Sequence, residues 1–194
     1  MNNQIIRKNI RIKRKELSES KKNNAAIKVA NLAYNLKKIK DAKNIALFSS
    51  FDGEINTFPL INLLWKKDAR VFLPKIDSFS KKTVFFLEYK KNTILKLNKF
   101  NILEPIKKNK KKFFIHELEI IIVPLVAFNF EGYRLGMGCG FYDFLLRDSK
   151  KKIIPIGIAY DFQLVKDIKI NPWDVPLPYI ITPKKIWFWK KNFF

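Results

Sequence analysis

The hydrophobic positions near the N-terminus follow a helical period. In residues 3–17 and again in residues 22–38, apolar side chains recur every three or four positions among basic and polar ones. Ser18 and Ser20 stand between the two segments, where a serine hydroxyl can cap the helix that follows. The pattern therefore predicts two basic helices at the N-terminus.

Further along the chain, the apolar side chains come in short uninterrupted runs, as in strands that are buried on both faces. The run at residues 119–128, EIIIVPLVAF, is the most hydrophobic and predicts the central strand. Residues 57–65 predict a helix, with Thr57 as its cap and Pro59 in its first turn. The other predicted strands lie at residues 44–50, 70–76, 83–89 and 153–160, with a last strand inside residues 171–183.

The alternation of strands and helices predicts an α/β fold: a single-domain, open, mainly parallel sheet flanked by helices, with an N-terminal helical pair. No linker or internal repeat divides residues 1–194, so we expect one domain. Residues 90–114, rich in lysine and asparagine, predict a loop around a short strand. Residues 183–189, PKKIWFW, predict a last short helix. Its isoleucine and tryptophans are expected to pack on the sheet rather than to lie on a membrane surface.

Composition narrows the classes of protein that the chain can belong to. A chain of 194 residues with 47% hydrophobic side chains can bury a core without disulfides, and its only cysteine, Cys139, cannot pair within the chain. A cytoplasmic location is therefore expected. No apolar run reaches the roughly 20 residues of a membrane span, and the basic N-terminus does not resemble a signal peptide. A single histidine, His116, argues against a histidine-based triad or metal site.

The net charge of +22 has two explanations. It can mark a protein that binds nucleic acid. However, the lysines are spread along the whole chain and accompany abundant asparagine, isoleucine and phenylalanine, all residues with AT-rich codons. Mutational drift in an AT-rich genome produces this composition without any partner, and we favour drift over a specific nucleic-acid function.

The most informative segment follows the predicted central strand. Four of the six glycines of the chain lie between Gly132 and Gly140, with Arg134 among them and Asp143 shortly after. Alternating glycines allow backbone N–H groups to approach a ligand, and a turn from strand to helix aims the helix N-terminus at an anion. The segment predicts a phosphate-binding loop, although a tight structural turn remains the alternative.

The order of motifs along the chain resembles the 5-formyltetrahydrofolate cyclo-ligase family. The resemblance rests on FSSFDGEINTFPLI, VFLPKI, IIVPLVAFNFEGYRLGMGCGFYD, IGIAYDFQLV and WDVPLPYIITP, which together span nearly the whole chain. It implies an enzyme that uses ATP and Mg²⁺ to close 5-formyltetrahydrofolate, with or without a polyglutamate tail, into 5,10-methenyltetrahydrofolate. It implies phosphorylation of the formyl oxygen followed by ring closure through N10. We expect a monomer, and from the composition no membrane and no specific nucleic-acid partner.

The resemblance also implies roles for individual residues. Asp143 and Asp174 match magnesium ligands, although a helix N-terminal charge and a surface turn are the plainer explanations. Arg134 and Asp143 are the expected catalytic residues. The ATP-binding loop matches Arg134, Leu135, Gly136, Met137, Gly138, Cys139, Gly140, Phe141 and Tyr142.

On the folate side, Glu54 matches a glutamate that contacts folate, and Ser49 lies where the family lines the folate site. A carboxylate is a suitable partner for the amino and ring N–H donors of a pterin. An exposed loop charge is the alternative for Glu54. Phe141 and Tyr142 either stack on the pterin or pack in the core.

One departure concerns the N-terminal helix, in which the family carries a lysine and, four residues later, an arginine at the ATP phosphates. Arg7 matches the arginine, but Asn3 replaces the lysine. Lys8, Arg11 and Arg14 are possible substitutes. An inactive member of the family is therefore an alternative. Cys139 is expected to be a tolerated small residue without a redox role, and His116 to lie on the surface.

Overall fold

The computed structural model describes residues 2–76, 84–106, 111–138, 140–148 and 153–192. Within these residues, five helices and eleven strands form. The helices are α1 (Asn3–Glu16), α2 (Glu19–Asn35), α3 (Lys37–Asp41), α4 (Phe58–Lys66) and α5 (Phe141–Asp148). The strands are β1 (Asn44–Ala46), β2 (Arg70–Ile76), β3 (Val84–Glu88), β4 (Leu95–Leu97), β5 (Leu103–Pro105), β6 (Ile120–Pro124), β7 (Ala127–Phe128), β8 (Arg134–Leu135), β9 (Ile154–Ile158), β10 (Tyr179–Ile181) and β11 (Ile186–Phe188).

Seven of these strands form one sheet in the order β11-β10-β9-β6-β1-β2-β3. The five central strands, from β10 to β2, run parallel, and the antiparallel strands β3 and β11 close the two edges. The α/β class with a mainly parallel sheet and an N-terminal helical pair is therefore confirmed. Because the parallel strands end at the same edge, the loops that follow β1, β6 and β9 meet there.

Apolar cores cover both faces of the sheet. One core packs α2 and α4 against β1, β2, β9 and β10. The other packs α5 and the C-terminal tryptophans against the opposite face. A third, smaller cluster joins Ile6 and Ile10 of α1 to Ala127 and Leu135, so that α1 is fixed beside the β7–β8 hairpin. No helix of the described residues is long and apolar enough to cross a membrane.

Local capping agrees with the sequence at one of the two predicted helix starts. The hydroxyl of Ser18 accepts a hydrogen bond from the backbone N–H of Lys21 and caps α2, as predicted. Thr57 occupies the N-cap position of α4 without capping it, because its hydroxyl donates to the carbonyl oxygen of Phe48 at 2.8 Å. Thr57 therefore fastens the loop after β1 to the start of α4.

Three sequence predictions about secondary structure differ from the structure. Residues 119–128 are not one strand, because the chain leaves the sheet after Pro124 and turns into β7, which pairs with β8. The last helix is also absent: Ile186–Phe188 form edge strand β11 on β10. The expected packing is nevertheless present, since the ring of Trp187 lies 5.7 Å from that of Phe128. Inside residues 90–114, the one expected strand is a pair, β4 and β5.

Candidate functional site

The glycine-rich loop lies between β8 and α5, beyond the carboxyl end of β6. Gly138 and Gly140 have φ angles of +109° and +63°, which disfavour other residues. A Cβ added at Gly136 or Gly140 would meet no described atom within 4 Å. Because one side of the loop is open at these positions, a ligand can approach its backbone and the N-terminus of α5. Met137 and Gly138 are exposed, and Cys139 lies outside the described residues.

Arg7 of α1 reaches this loop from the N-terminal helix. Its Nε donates to the carbonyl oxygen of Gly136 at 2.8 Å, and its Cζ lies 3.8 Å from where a Cβ on Gly138 would be. The match of Arg7 to a phosphate-binding arginine is therefore consistent with its position. Asn3 instead exchanges two hydrogen bonds with the backbone of Lys169, at 2.9 and 3.1 Å, and Lys8 is exposed.

Arg134 and Asp143 form a buried ion pair behind the loop. Nη2 of Arg134 donates to Oδ1 of Asp143 at 2.7 Å, and Nη1 donates to the carbonyl oxygen of Val175 at 2.6 Å. The Arg134 side chain is 3% exposed and that of Asp143 21% exposed. Burial lowers the pKa of Arg134, and the carboxylates of Asp143 and Asp174 oppose that change. Arg134 thus holds Asp143 and the segment around Val175 in place.

Asp174 is brought close to Asp143 by the same segment. The backbone N–H of Val175, the residue after Asp174, donates to Oδ1 of Asp143 at 3.2 Å. Oδ2 of Asp174 closes a turn by accepting from the backbone N–H of Asn171 at 2.8 Å. Among the described residues, Oδ2 of Asp143 and Oδ1 of Asp174 accept no hydrogen bond, so each carboxylate retains one oxygen for a ligand.

These two carboxylates fit a magnesium ion. The described residues contain no group of three or more histidine, cysteine or acidic side chains that could hold a metal ion. Mg²⁺, however, commonly takes only one or two protein carboxylates and completes its shell with water and phosphate oxygens. Two hard oxygen donors beside an open glycine loop are therefore the expected donor set for magnesium bound with a nucleotide.

Glu54 lies in a tight turn after β1. The backbone N–H of Glu54 donates to the carbonyl oxygen of Phe51 at 3.0 Å, and the φ angles of Asp52 and Gly53 are +51° and +72°. Positive φ at both central positions is the mark of a type I′ turn, which favours Asp-Gly. Ser49 is half-buried in the segment that leads from β1 into this turn.

The side chain of Glu54 is buried, so Glu54 is not an exposed loop charge. Burial raises the pKa of Glu54 to about 7, against the attraction of Arg14 and a hydrogen bond from the backbone N–H of Phe51. Burial, and after it the negative charge of Glu54, raises the pKa of Tyr142 on α5. Glu54 therefore lies within electrostatic range of the helix that begins at the glycine loop.

Phe141 and Tyr142 are both partly buried and pack against the core that covers α5. Their rings meet edge to face, with centroids 5.1 Å apart. Of the two alternatives for this pair, packing is the one that these contacts support. His116 is exposed, as predicted, and stacks on Phe114 with centroids 6.0 Å apart.

The sequence analysis did not single out Asp52 or predict that Arg11 and Arg14 pair with it. Nε of Arg11 donates to Oδ2 of Asp52 at 2.6 Å, and Nη2 of Arg14 donates to the same oxygen at 3.3 Å. Arg11 and Arg14 therefore face the Glu54 turn and do not replace the missing lysine at the loop. The signal was available, because Arg7, Arg11 and Arg14 are spaced four and three residues apart and so share one face of a helix.

The fold and this loop define a class of protein: open α/β proteins that take an anionic ligand beyond the carboxyl ends of their strands. Comparison with known proteins is more specific. The model of the 5-formyltetrahydrofolate cyclo-ligase family matches residues 1–183. The chain therefore belongs to the 5-formyltetrahydrofolate cyclo-ligase family.

Individual relatives agree over most of their length. The chain is 43% identical over 175 residues to the 5-formyltetrahydrofolate cyclo-ligase of Haemophilus influenzae, covering 90% of this chain and 94% of that protein. It is 38% identical over 181 residues to that of Escherichia coli K12, covering 93% and 100%. The solved structure of 5,10-methenyltetrahydrofolate synthetase from Aquifex aeolicus superposes with a TM-score of 0.85 at 30% identity, covering 98% of this chain and 94% of that one. The 5,10-methenyltetrahydrofolate synthetase of Mycoplasma pneumoniae gives 0.76 at 29% identity, covering 94% and 99%.

Proposed function

We propose that this chain is an active 5-formyltetrahydrofolate cyclo-ligase. It converts 5-formyltetrahydrofolate and ATP into 5,10-methenyltetrahydrofolate, ADP and phosphate, with Mg²⁺ bound together with the nucleotide. The observation that carries the proposal is the closeness of the two predicted ligand sites, since helix α1 reaches both: Arg7 donates to the carbonyl oxygen of Gly136 in the loop, and Nη1 of Arg14 lies 4.0 Å from Oε1 of Glu54. This closeness suits a reaction in which one substrate phosphorylates the other. We expect the enzyme to work as a monomer in the cytoplasm.

The reaction proceeds in two steps. The formyl oxygen of the N5-formyl group attacks the γ-phosphorus of ATP, the bond from that phosphorus to the β–γ bridging oxygen breaks, and ADP leaves. The product is an N5 iminium phosphate. The N10 amine then attacks the formyl carbon, its proton is lost, and phosphate departs with the former formyl oxygen. Neither step needs a nucleophile from the protein, so positioning and charge neutralisation account for catalysis.

Five groups of the chain serve the nucleotide. Arg7 and the backbone N–H groups of the loop bind the phosphates and align the γ-phosphorus. Arg134 holds Asp143 and adds a fixed positive charge beside the site. Asp143 and Asp174 would hold the magnesium ion, which supplies charge neutralisation at the phosphate oxygens when it is bound.

Glu54 and Ser49 serve the folate. The Glu54 carboxylate accepts hydrogen bonds from the pterin amino group and ring N–H, and its burial excludes competing water. Ser49 lies in the same segment and lines the approach to the turn. A carboxylate that must be ionised to accept both hydrogen bonds makes folate affinity dependent on pH near 7, where the pKa of Glu54 lies.

Two measurements test the proposal. The purified chain, mixed with 5-formyltetrahydrofolate, ATP and Mg²⁺, should generate the absorbance of methenyltetrahydrofolate, and omission of either ATP or Mg²⁺ should abolish it. A chain that binds both substrates without this product would be the inactive family member. Substrate labelled with ¹⁸O in the formyl group should deliver the label to inorganic phosphate, one atom per turnover. Unlabelled phosphate from an active enzyme would refute the phosphorylated intermediate.

A further inference from the structure

Arg14 is a fully buried arginine that the reaction described above does not use. Its side chain is 1% exposed, and it lies at the end of α1 beneath the Glu54 turn. Its Nη2 pairs with Asp52, but its Nε and Nη1 have no hydrogen-bond partner among the described residues. Because a buried N–H without a partner costs free energy, the position of this guanidinium requires an explanation.

The unpartnered Nη1 points toward Glu54. It lies 4.0 Å from Oε1 of Glu54, whose side chain is 5% exposed. At this distance the two charges attract strongly in a buried environment without forming a direct hydrogen bond. The other oxygen of Glu54, Oε2, accepts from the backbone N–H of Phe51 at 3.2 Å.

The turn itself rests directly on Arg14. A Cβ added at Gly53 would lie 3.0 Å from Cβ of Arg14 and 3.2 Å from its carbonyl carbon and oxygen. Although burial alone would raise the pKa of Asp52, its hydrogen bond with Arg11 and the charges of Arg11 and Arg14 lower it. Asp52 is therefore an ionised anchor that fixes the guanidinium of Arg14 relative to Glu54.

We propose that Arg14 is a positioning residue for the folate site: anchored on Asp52, it keeps the buried Glu54 carboxylate ionised and correctly oriented to receive the pterin. This inference rests on the proposed folate-binding function of Glu54. It assigns the arginines of α1 to both substrates, since Arg7 serves the glycine loop and Arg14, about two turns further along the same helix face, serves the Glu54 turn.

The charged and titratable groups that face Glu54 set the sign of the effect. Arg14 from α1 favours the carboxylate, and Asp52 from the turn itself disfavours it. Tyr142 from α5 and Tyr160 after β9 are near enough to feel the charge of Glu54, but burial raises the pKa of each, so both stay neutral near pH 7. Arg14 is thus the cation that acts on Glu54, and its removal must raise the pKa of Glu54.

The test reads Glu54 directly. Protein labelled with ¹³C in the glutamate side-chain carboxyl groups is titrated by NMR from about pH 5 to about pH 9, and the Glu54 signal is identified by its loss in Glu54→Gln. Arg14→Gln removes the charge and keeps an amide that can donate to Asp52. Arg11→Met is the matched control, because it removes a second arginine from the same helix and the same Asp52, and this arginine is 42% exposed.

We expect the titration midpoint of Glu54 to rise by about one pH unit or more in Arg14→Gln, the effect of losing an opposite charge at this range. In Arg11→Met it should move by less than about a third of that. The KM for 5-formyltetrahydrofolate at pH 7 should rise about fivefold in Arg14→Gln, since the ionised fraction falls from about a half to about a tenth. It should recover at high pH, while the KM for ATP stays unchanged.

An unchanged Glu54 midpoint in folded Arg14→Gln would overturn the proposal, as would a KM increase that is equal at all pH values. If Arg14→Gln does not fold, the double variant Arg14→Gln/Asp52→Asn also removes the Asp52 charge that Arg14 balances. There the midpoint should still rise, because the attraction of Arg14 outweighs the repulsion of Asp52. The titration does not depend on turnover. If the Glu54 midpoint rises as expected in Arg14→Gln but the chain has no cyclo-ligase activity, only the proposed function is refuted.

Discussion

Replacing Gly53 by alanine tests the packing of the Glu54 turn on α1. Gly53 has a φ angle of +72°, and an alanine Cβ would lie 3.0 Å from Cβ of Arg14 and 3.2 Å from its backbone carbonyl. The left-handed conformation costs a non-glycine residue about 1–2 kcal/mol. The contact with backbone atoms, which cannot rotate away, adds about 1–3 kcal/mol.

We therefore expect Gly53→Ala to lower the free energy of unfolding by about 2–5 kcal/mol. For a chain of this size that corresponds to a Tm lower by roughly 4–20 °C. Denaturant unfolding and thermal melting followed by circular dichroism measure both. Because the turn must move away from Arg14, the KM for folate should rise more than the KM for ATP.

Gly136→Ala is the matched control. Gly136 is not in the left-handed region, and its Cβ would meet no described atom within 4 Å. Its free energy of unfolding should change by less than about 0.5 kcal/mol, whereas its KM for ATP should rise because the methyl group occupies the open side of the loop. A Gly53→Ala protein as stable as the wild type would show that the turn does not rest on α1 as described.

Three further substitutions test the site. Arg7→Met should raise the KM for ATP about tenfold or more, since a charged hydrogen bond is worth about 1.5–3 kcal/mol. Lys13→Met, on the same helix, should leave that KM unchanged. Equal effects of the two substitutions would show that Arg7 does not bind the phosphates. Asp143→Asn should abolish activity and lower the free energy of unfolding by about 3–5 kcal/mol, because it leaves Arg134 buried without its partner. Asp174→Asn should also abolish activity, but in the same denaturant titration it should lose much less stability. Glu54→Gln should raise the KM for folate and abolish its pH dependence. Burial raises the pKa of Glu54 from 4.5 to about 7, so the free energy of unfolding of the wild type falls as the pH rises from 4.5 to about 7. Glu54→Gln lacks this charge. At pH 8 it should therefore unfold at a higher denaturant concentration than the wild type, and at pH 4 it should not.

The strands that could be predicted from sequence are the ones buried on both faces. β2 coincides with the predicted residues 70–76, and β3 and β9 lie inside their predicted runs. A continuous apolar run indicates a strand that is buried on both faces, whichever strands lie beside it. Such a strand can therefore be predicted before its neighbours in the sheet are known. The cap at Ser18 was predictable for a different reason: it depends only on residues three positions apart.

Two errors arose where apolar character does not distinguish one burial site from another. Residues 120–128 are apolar throughout, yet β7 leaves the main sheet to pair with β8. Residues 186–188 are apolar and aromatic, and their position beside the free edge of β10 selects a strand. In both cases the predicted and the observed structure bury similar side chains. Which one forms depends on backbone hydrogen bonds to strands that are distant in sequence or not yet placed.

The glycine loop and the candidate carboxylates Glu54, Asp143 and Asp174 could be named from the chain alone, because glycine spacing and motif order are local or colinear properties. Their connections were not. Arg7 and Gly136 are 129 positions apart, and Arg134 meets the carbonyl oxygen of Val175 across 41 positions. The pairing of Arg14 with Asp52 beneath Glu54 depends on how α1 lies across the sheet edge. The residue pattern specifies the periodicity and the local chemistry. The order of the strands and the placement of α1 determine which charged groups meet in the interior, and therefore the pKa of each group.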